Sequence, residues 1–409
     1  MIKWIKENIF PFYKYDFKKC SYFLLLVTYV IGFIGVYLIA VLQDSDENLY
    51  QKQIIAYAAG LLVIIVCASI DYHLWAKLYI VIFLVGIVLL LICKYSNSLP
   101  IYGWSHYDAR RWIKIGGDPT LGEKNEGFEF MPSELTKIAI IIFVSAFFNK
   151  CRKHIKKFWV LLLAIIFVAV PIYQIFDQPD FSTTVVMLGV FAVMVLISGV
   201  SYKYIIPAIA VGVPLLYAAF WYVQQDFQWI LDEYQQKRIL AALHPEMYPE
   251  LMYQQTNAEL AIRSGGMIGK TFAGVEGIRG TAYVPVVESD FIFSAVAEEF
   301  GFLGSIFVLA LYFIMILLII KIARNAVDYL GMMMAVGFGT LIMLQVFINI
   351  GVVSSLLPNT GLTLPYMSSG LSSLLVNLAM TGILLNISLQ RKKTDKNKTD
   401  NDELGFINV

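Results

Sequence analysis

Long apolar segments separated by polar stretches run along almost the whole chain, and this pattern predicts a bundle of membrane-spanning helices. A helix that crosses a bilayer needs about 20 mostly apolar residues. Ten segments approach or exceed that length, and the second and fourth are short enough that neighbouring helices must cover their ends. The predicted spans are 21–42, 54–70, 76–93, 135–149, 158–176, 181–199, 205–223, 291–320, 330–350 and 367–389.

The lysine and arginine residues between the spans predict which side of the membrane each connection faces. Cytoplasmic loops carry an excess of both residues. With a cytoplasmic N-terminus, the inner segments hold five lysines among the first 20 residues, the basic loop 149–157 and the basic tail, whereas the acidic stretch 44–47 faces outward. The first span then acts as a signal anchor rather than as a removed signal peptide, and both termini are cytoplasmic.

Three segments remain for the outer face, at about 94–134, 224–290 and 351–366. Loops of this length usually carry function or are disordered. We therefore expect an all-α polytopic membrane protein with about ten transmembrane helices and large outer loops. It has a single transmembrane domain over 1–390 and a polar cytoplasmic tail over 391–409. No internal repeat supports an inverted-repeat transporter.

The overall composition excludes several classes of protein. Hydrophobic residues make up 58% of the 409 positions and charged residues 15%, whereas a soluble domain has about 25% charged residues. An ordinary cytosolic enzyme and a disordered chain are both excluded on this ground. The net charge of +1 gives no reason to expect a nucleic-acid partner. The four cysteines and four histidines match no metal-binding spacing, and we expect no disulfide.

The first outer segment contains the motifs ARRWI and MPSELTK, which carry a group of basic residues. We interpret Arg110, Arg111 and Lys137 as a cationic patch that suits a phosphate or pyrophosphate headgroup. The alternative is purely structural. Glu134 complements the dipole of the helix that begins beside it, and it forms an ordinary surface pair with Lys137 three residues later.

The turn between the fifth and sixth spans reads QPDFSTT, and its most polar residue is Asp180. The position favours Asp180 as the N-cap of the sixth helix. A cluster of polar residues at a tight turn also suits the wall of a cavity, so both interpretations stay open.

The strongest local signal is a group of carboxylates that enters the eighth span in the sequence ESDFIFSAVAEEFG. Charged residues inside a span cost several kcal/mol, about 3, and are therefore treated as functional. Asp290 is either a catalytic carboxylate or the N-cap of this helix, and a capping carboxylate is a weaker base. Glu298 lies about 12 Å deeper, so Glu298 and Glu299 are still expected near the interface.

The third outer segment contains two prolines and several glycines in the sequence LPNTGLTLPYMSSG. This composition predicts a defined re-entrant turn. Irregular backbone at membrane depth is tolerated only where it lines a cavity or is buried in protein. The alternative is a plain connector between the last two spans.

Taken together, these segments resemble the SEDS family of shape, elongation, division and sporulation proteins, which includes RodA, FtsW and SpoVE. The resemblance runs from the first span to the tenth, and the form of the last loop favours the RodA branch over the FtsW branch. The blocks that carry it are ARRWI at 109–113, PSELTK at 132–137, QPD at 178–180, ESDFIFSAVAEEFGFLG at 288–304 and NIGVVSSLLPNTGLTLP at 349–365.

The resemblance implies a peptidoglycan glycosyltransferase in the bacterial cytoplasmic membrane. Such an enzyme polymerises lipid II into glycan strands at the outer face and releases polyprenyl pyrophosphate. It serves cell wall synthesis in elongation, division or sporulation, and it works beside a class B penicillin-binding protein that supplies transpeptidation. The expected partners are therefore lipid II, this transpeptidase and the lipid bilayer, with no nucleic acid.

The resemblance also transfers roles to residues of this chain. The family's essential aspartate corresponds to Asp290, which is our candidate for the general base. Its conserved glutamate, lysine and loop residues correspond to the set Glu134, Lys137, Arg110, Arg111 and Trp112.

The bound diphosphate needs positive charge as it leaves. We assign that role to the three basic residues, assisted by a divalent cation such as Mg or Mn. Glu288 and Asp180 complete the substrate-binding set, with Glu288 raising the pKa of Asp290. Trp112 either binds substrate or anchors the chain at the interface.

Two other classes of function remain. A lipid II flippase would also have ten spans and intramembrane carboxylates, but it needs charged residues along its whole path. The distinctive charges here cluster on the outer side, which favours chemistry at that face. A non-catalytic scaffold for the penicillin-binding protein would keep its function after Asp290→Asn.

Overall fold

The computed structural model describes residues 15–42, 48–96, 101–106, 109–116, 128–225, 227–231, 233–275 and 279–390. Within these residues the fold consists of fourteen α-helices and one small sheet. The predicted tail 391–409 and the acidic stretch 44–47 lie outside them. The helices are α1 (Tyr22–Leu42), α2 (Leu49–Ser69), α3 (Tyr72–Lys77), α4 (Tyr79–Tyr95), α5 (Pro132–Lys150), α6 (Phe158–Asp177), α7 (Phe181–Ile197), α8 (Tyr202–Val223), α9 (Glu233–Leu243), α10 (Pro249–Gly265), α11 (Gly269–Ala273), α12 (Ile292–Arg324), α13 (Tyr329–Val353) and α14 (Leu371–Leu389).

Eight of the described helices are long and apolar enough to cross a membrane, namely α1, α2, α5, α6, α8, α12, α13 and α14. Two shorter apolar helices, α4 and α7, complete the set of ten. Each predicted span coincides with one of these ten helices. The largest shift is at the second span, which begins five residues before the predicted start. The chain is therefore a multi-pass membrane protein, and the number of crossings stays a prediction.

Contacts between connections bring the first described residues and the end of α14 to one end of the bundle. The backbone N–H of Asp16 donates to the carbonyl of Leu389 at 3.0 Å. At the same end, His73 lies between Asp71 at 2.6 Å and Asp328 at 2.8 Å. The first described residues and the end of α14 therefore lie together, as an even number of crossings requires.

One hydrophobic cluster runs through the bundle, from Leu24 in α1 to Ile387 in α14. All four cysteines are free thiols. Apolar side chains outside this cluster cover much of the surface of the spanning helices. An exposed apolar surface of this extent suits a lipid environment, because lipid tails are as apolar as these side chains and their contact carries no hydrophobic cost.

The first outer segment contains a sheet that the expected all-α fold did not include. Its strands are β1 (Ile101–His106), β2 (Ala109–Ile115) and β3 (Phe128–Phe130), which pair antiparallel in that order. Trp104 pairs with Trp112 and Ser105 with Arg110, so Arg111 is an extra residue in β2. A bulge of this kind bends the strand and redirects the side chain at that position.

The second outer segment is also structured, since α9, α10 and α11 all lie in it. Two buried carboxylates of α12 hold it in place. Glu298 accepts hydrogen bonds from the backbone N–H of Gly280 at 2.6 Å and from the Lys270 ammonium. Glu299 pairs with Arg279 at 2.6 Å. Both glutamates are buried against the outer segment, and their position near the membrane interface stays a prediction.

A break in α12 occurs at Gly301, where φ is 68° and ψ is −165°. A kink in a helix leaves backbone N–H groups without their usual partners. Here Phe302 donates to the carbonyl of Gly266 at 2.9 Å, and Leu303 donates to that of Met267 at 3.1 Å. The outer segment therefore replaces the hydrogen bonds that the kink removes.

We expect Gly301→Ala to destabilise the protein. A side chain at a positive φ is strained, which costs about 1–3 kcal/mol. A Cβ there would also stand 2.3 Å from the backbone nitrogen of Gly269. Thermal unfolding of the purified full chain measures the loss as a lower midpoint.

The matched control is Gly212→Ala in α8, where an added Cβ meets nothing within 4 Å. Its midpoint should stay unchanged or rise, because alanine is favoured over glycine in a helix by up to about 1 kcal/mol. Equal midpoints for the two variants would contradict the role given to Gly301.

Candidate functional site

The carboxylate of Asp290 lies in the turn just before α12 and does not cap that helix. The N-cap residue is Phe291, and no side chain caps the helix there. Asp290 Oδ1 instead accepts a hydrogen bond from Ser289 Oγ at 2.9 Å. The alternative interpretation of Asp290 as the N-cap is therefore wrong, and the carboxylate is available for chemistry.

The surroundings of Asp290 act on its pKa in opposite directions. Burial raises the pKa above the usual aspartate value, because a low-dielectric environment disfavours the charged form. The hydrogen bond from Ser289 and the charges of Arg238 and Arg111 lower it in part, and the charge of Glu288 raises it slightly. Burial is the largest of these effects, so the net shift is upward.

The backbone around Asp290 is fixed by the side chain of Asn349, which is 1% exposed. Its amide donates to the carbonyl of Asp290 at 2.8 Å and to that of Leu362 at 2.6 Å. These bonds join the turn before α12 to the loop between α13 and α14. The loop comes so close that a Cβ at Gly361, where φ is 66°, would stand 3.2 Å from Asp290 Oδ2.

The same loop makes further contacts with the turn before α12. Ser368 Oγ donates to the carbonyl of Ser289 at 2.5 Å, and the backbone N–H of Ser369 donates to that of Glu288 at 2.8 Å. The loop is therefore buried in protein and lines the site, as the predicted re-entrant turn requires. Its alternative interpretation as a plain connector is wrong.

A small cavity of about 40 Å³, partly open to its surroundings, adjoins this loop. Arg111 from β2, Arg238 from α9 and Thr360 from the loop contribute to its lining. Among the described residues, the lining contains two arginines and no acidic side chain. The cavity is therefore suited to an anion.

The two neighbouring arginines of ARRWI separate in the structure. Arg111 donates through Nε to the carbonyl of Gln178 at 3.2 Å and through Nη2 to that of Pro179. Arg110 donates instead to the carbonyl of Ser96. Successive side chains of a strand point to opposite faces of the sheet, so two adjacent arginines contact different parts of the chain.

The lysine of the expected cationic patch is also separate from the cavity. Lys137 Nζ donates to Glu134 Oε1 at 2.8 Å, and the two side chains are 1% and 6% exposed. This is a buried pair, so the surface-pair alternative is wrong. Arg110, Arg111 and Lys137 therefore do not form one exposed patch.

Asp180 has the structural role that its position favoured. Its carboxylate accepts a hydrogen bond from the backbone N–H of Thr183 at 3.2 Å and caps α7. The hydroxyl of Ser133 lies 3.4 Å from its second oxygen, which links the start of α5 to this turn. Asp180 thus supports the turn that Arg111 contacts.

The remaining predicted residues, Trp112 and Glu288, do not line the cavity. Trp112 is half-buried and pairs with Trp104 across the sheet. Glu288 is half-buried two residues before Asp290. Among the described residues, no group of three His, Cys, Asp or Glu side chains is placed to hold a metal ion.

Sequence reasoning missed Arg238 and Asn349. Asn349 is a polar residue inside an apolar span, and that signal alone marks it as a candidate. Arg238 lies in a polar outer segment, where one more basic residue carries no signal. Only the packing of α9 against the loop brings it to the cavity.

Comparison with known proteins identifies a family and a fold. The model of the FtsW/RodA/SpoVE family, described as cell cycle protein, matches residues 18–393. A probable peptidoglycan glycosyltransferase FtsW of Geobacter metallireducens is 34% identical over 84% of this chain and 86% of its own length. Stage V sporulation protein E of Bacillus subtilis is 32% identical, over 91% of this chain and 98% of the relative.

A third relative is the peptidoglycan glycosyltransferase MrdB of Escherichia coli, at 30% identity over 86% of this chain and 89% of the relative. Relatives with FtsW, SpoVE and MrdB names thus match at similar identity, so these identities do not single out one branch.

Solved structures share the fold. A chain of a peptidoglycan synthase complex that coordinates polymerization and crosslinking aligns with a TM-score of 0.72 at 23% identity, covering 91% of this chain and 98% of that chain. The rod shape determining protein RodA of Thermus thermophilus aligns with a TM-score of 0.61 at 21% identity, covering 93% and 98%.

We expect Asn349→Leu to destabilise the protein by about 1–3 kcal/mol for each buried carbonyl that loses its donor. Thermal unfolding of the full chain measures the effect. The matched control is Asn325→Leu, because the exposed Asn325 amide donates only within its own helix, to the carbonyl of Lys321. The control should change stability by less than about 0.5 kcal/mol, and an equal loss in both variants would contradict the bridging role.

Proposed function

Because this chain belongs to the cell cycle protein family of FtsW, RodA and SpoVE, it is a peptidoglycan glycosyltransferase, and we propose that it polymerises lipid II. We place the reaction at the outer face of the bacterial cytoplasmic membrane. The observation that carries the proposal is the half-buried, non-capping carboxylate of Asp290 beside a cavity lined by two arginines.

Asp290 is the general base in this proposal. The reaction joins the 4-hydroxyl of one lipid II to the anomeric carbon of a lipid-linked glycan, and a base must remove the hydroxyl proton as the bond forms. Burial raises the pKa of Asp290, which makes its carboxylate a stronger base than an exposed one. A single base opposite the leaving group fits an inverting displacement, by analogy with inverting glycosidases.

Arg111 is the predicted cation best placed to stabilise the leaving diphosphate. Its contacts with the carbonyls of Gln178 and Pro179 hold it at the cavity and leave its charge in place, because carbonyl oxygens are neutral. Lys137 and Glu134 act as a buried pair that supports the start of α5. Replacing one member of such a pair by a neutral residue leaves the other as an uncompensated buried charge. A neutral substitution at Lys137 or at Glu134 should therefore impair the enzyme by destabilising its structure.

The partner and the membrane side are part of the proposal. We propose that a class B penicillin-binding protein crosslinks the strands that this enzyme makes, and the fold shared with a peptidoglycan synthase complex supports this pairing. The outer side is supported by the distribution of lysine and arginine.

No step here is assigned to a metal ion, since the described residues offer no group of three candidate ligands. The expectation that Mg or Mn assists stays a prediction.

We expect Asp290→Asn to abolish glycan synthesis. Removing a general base typically costs 10²–10⁴-fold in rate. The measurement is the formation of glycan ladders from labelled lipid II by the purified full chain with a class B partner, with and without EDTA. Asp177→Asn is the matched control, because Asp177 is an exposed aspartate at the end of α6 that pairs with Lys94.

Ladders from wild type and the control, but none from a folded Asp290→Asn protein, would support the proposal. Equal ladders from all three would remove Asp290 as the base. If no variant makes ladders and lipid II instead crosses liposomes, the flippase function takes the place of polymerisation.

The pH dependence of kcat/KM should report the raised pKa of Asp290. A base is active when ionised, so activity falls as the pH drops through that pKa, at a value above the ordinary aspartate pKa of about 3.9. Ser289→Ala removes a hydrogen bond that favours the ionised form, and it should shift the acid limb to higher pH. Ser69→Ala, at a half-buried serine of α2 whose hydroxyl donates to the carbonyl of Ile65 in its own helix, should leave the limb unchanged. An unshifted limb in Ser289→Ala would contradict the assignment.

A further inference from the structure

Arg238 reaches the candidate site from a part of the chain that no motif marked. It lies in α9, within the second outer segment, and its Nη1 donates to the carbonyl of Asn359 at 3.3 Å. Asn359 belongs to the loop between α13 and α14, which also carries Gly361 beside Asp290. Arg238 is thus held where the outer segment meets the loop around the catalytic carboxylate.

Arg111 and Arg238 line the cavity from two different elements, β2 and α9. Both charges also act on the carboxylate of Asp290. Positive charge in a partly enclosed space attracts a ligand with several negative charges, and this attraction grows as the dielectric constant falls. A neutral sugar gains nothing from it.

Other groups in the lining also fit phosphate oxygens. The hydroxyl of Thr360 is buried and has no hydrogen-bond partner among the described residues, although it contributes to the cavity wall. A hydroxyl can donate to a phosphate oxygen. Phe181 and Ile239 supply apolar wall on either side, and an apolar wall strengthens charge interactions inside the cavity.

We propose that Arg238 and Arg111 form a clamp for a diphosphate, with Arg238 binding the diphosphate of the lipid-linked donor. A diphosphate has two linked phosphates and therefore suits two guanidinium groups that approach from different elements. This proposal rests on the proposed function for the identity of the donor, but not for the binding of a diphosphate.

The clamp acts when the bond between the anomeric carbon and the diphosphate oxygen breaks. The electron pair of that bond moves to the diphosphate oxygen, where Arg238 stabilises the developing charge. The acceptor oxygen forms the new glycosidic bond, and its proton passes to Asp290. Arg238 is thus a catalytic residue that contacts the leaving group, and no additional reactant is needed.

The test measures binding of inorganic pyrophosphate and of geranyl diphosphate to the purified full chain. We expect Arg238→Gln to weaken both by at least tenfold, since both probes share the diphosphate. Arg238→Lys should recover part of the affinity, because lysine keeps the charge but not the planar fork. The matched control is Arg263→Gln, since Arg263 lies on the exposed face of α10 and pairs with Glu259.

Geranyl diphosphate binding that is unchanged in Arg238→Gln would show recognition of the tail alone and would overturn the clamp. Unchanged pyrophosphate binding in a folded Arg238→Gln protein would overturn it as well. An equal loss of diphosphate affinity in Arg263→Gln and Arg238→Gln would reveal a general effect of positive charge and would also overturn the clamp. If Arg238→Gln does not fold, Arg238→Lys provides the test instead. A diphosphate affinity in Arg238→Lys equal to that of the wild type would contradict recognition by the planar guanidinium group.

Asp290→Asn separates this proposal from the proposed function. That variant should bind both diphosphates at least as tightly as wild type, because it removes a nearby negative charge, yet make no glycan. Arg238→Gln should lower kcat for lipid II more than it raises KM, because the charge on the leaving group develops in the transition state. If the wild-type chain makes no glycan but binds diphosphates in a way that depends on Arg238, the clamp is upheld and the proposed function is overturned.

Discussion

The amide of Asn349 joins the two pieces of backbone on which the site depends. It donates to the carbonyls of Asp290 and Leu362 from a fully buried position in α13. Buried carbonyls that lose their donor are costly, so this pairing constrains both segments strongly. The loop that follows α13 is thereby held against the turn before α12, and the cavity lies beside their junction.

The electrostatics of the site follow from that placement. Burial raises the pKa of Asp290, whereas Arg111 and Arg238 lower it. A base must be basic enough to accept a proton and still be ionised at the working pH. The two arginines therefore serve both ends of the proposed reaction, because they lower the pKa of the carboxylate and offer charge to the leaving diphosphate.

The second outer segment reaches the site because buried ion pairs fasten it to α12. Glu298 and Glu299 hold the stretch that includes Lys270 and Arg279, and the kink at Gly301 is bonded to the same segment. These carboxylates are intramembrane charges with a structural use. They show that charge inside a span marks a specific role without deciding which role it is.

The sequence by itself determined the apolar helices and the cap at Asp180, because apolar runs and caps are local properties of the chain. Other features depended on tertiary structure. Arg110 and Arg111 contact different segments of the chain, and the pairing of Lys137 with Glu134 is buried only because other helices pack around α5. Arg238 reaches the cavity through contacts between residues more than 100 positions apart. Such contacts are set by how the helices and loops pack together, and no local pattern of apolar and polar residues encodes them.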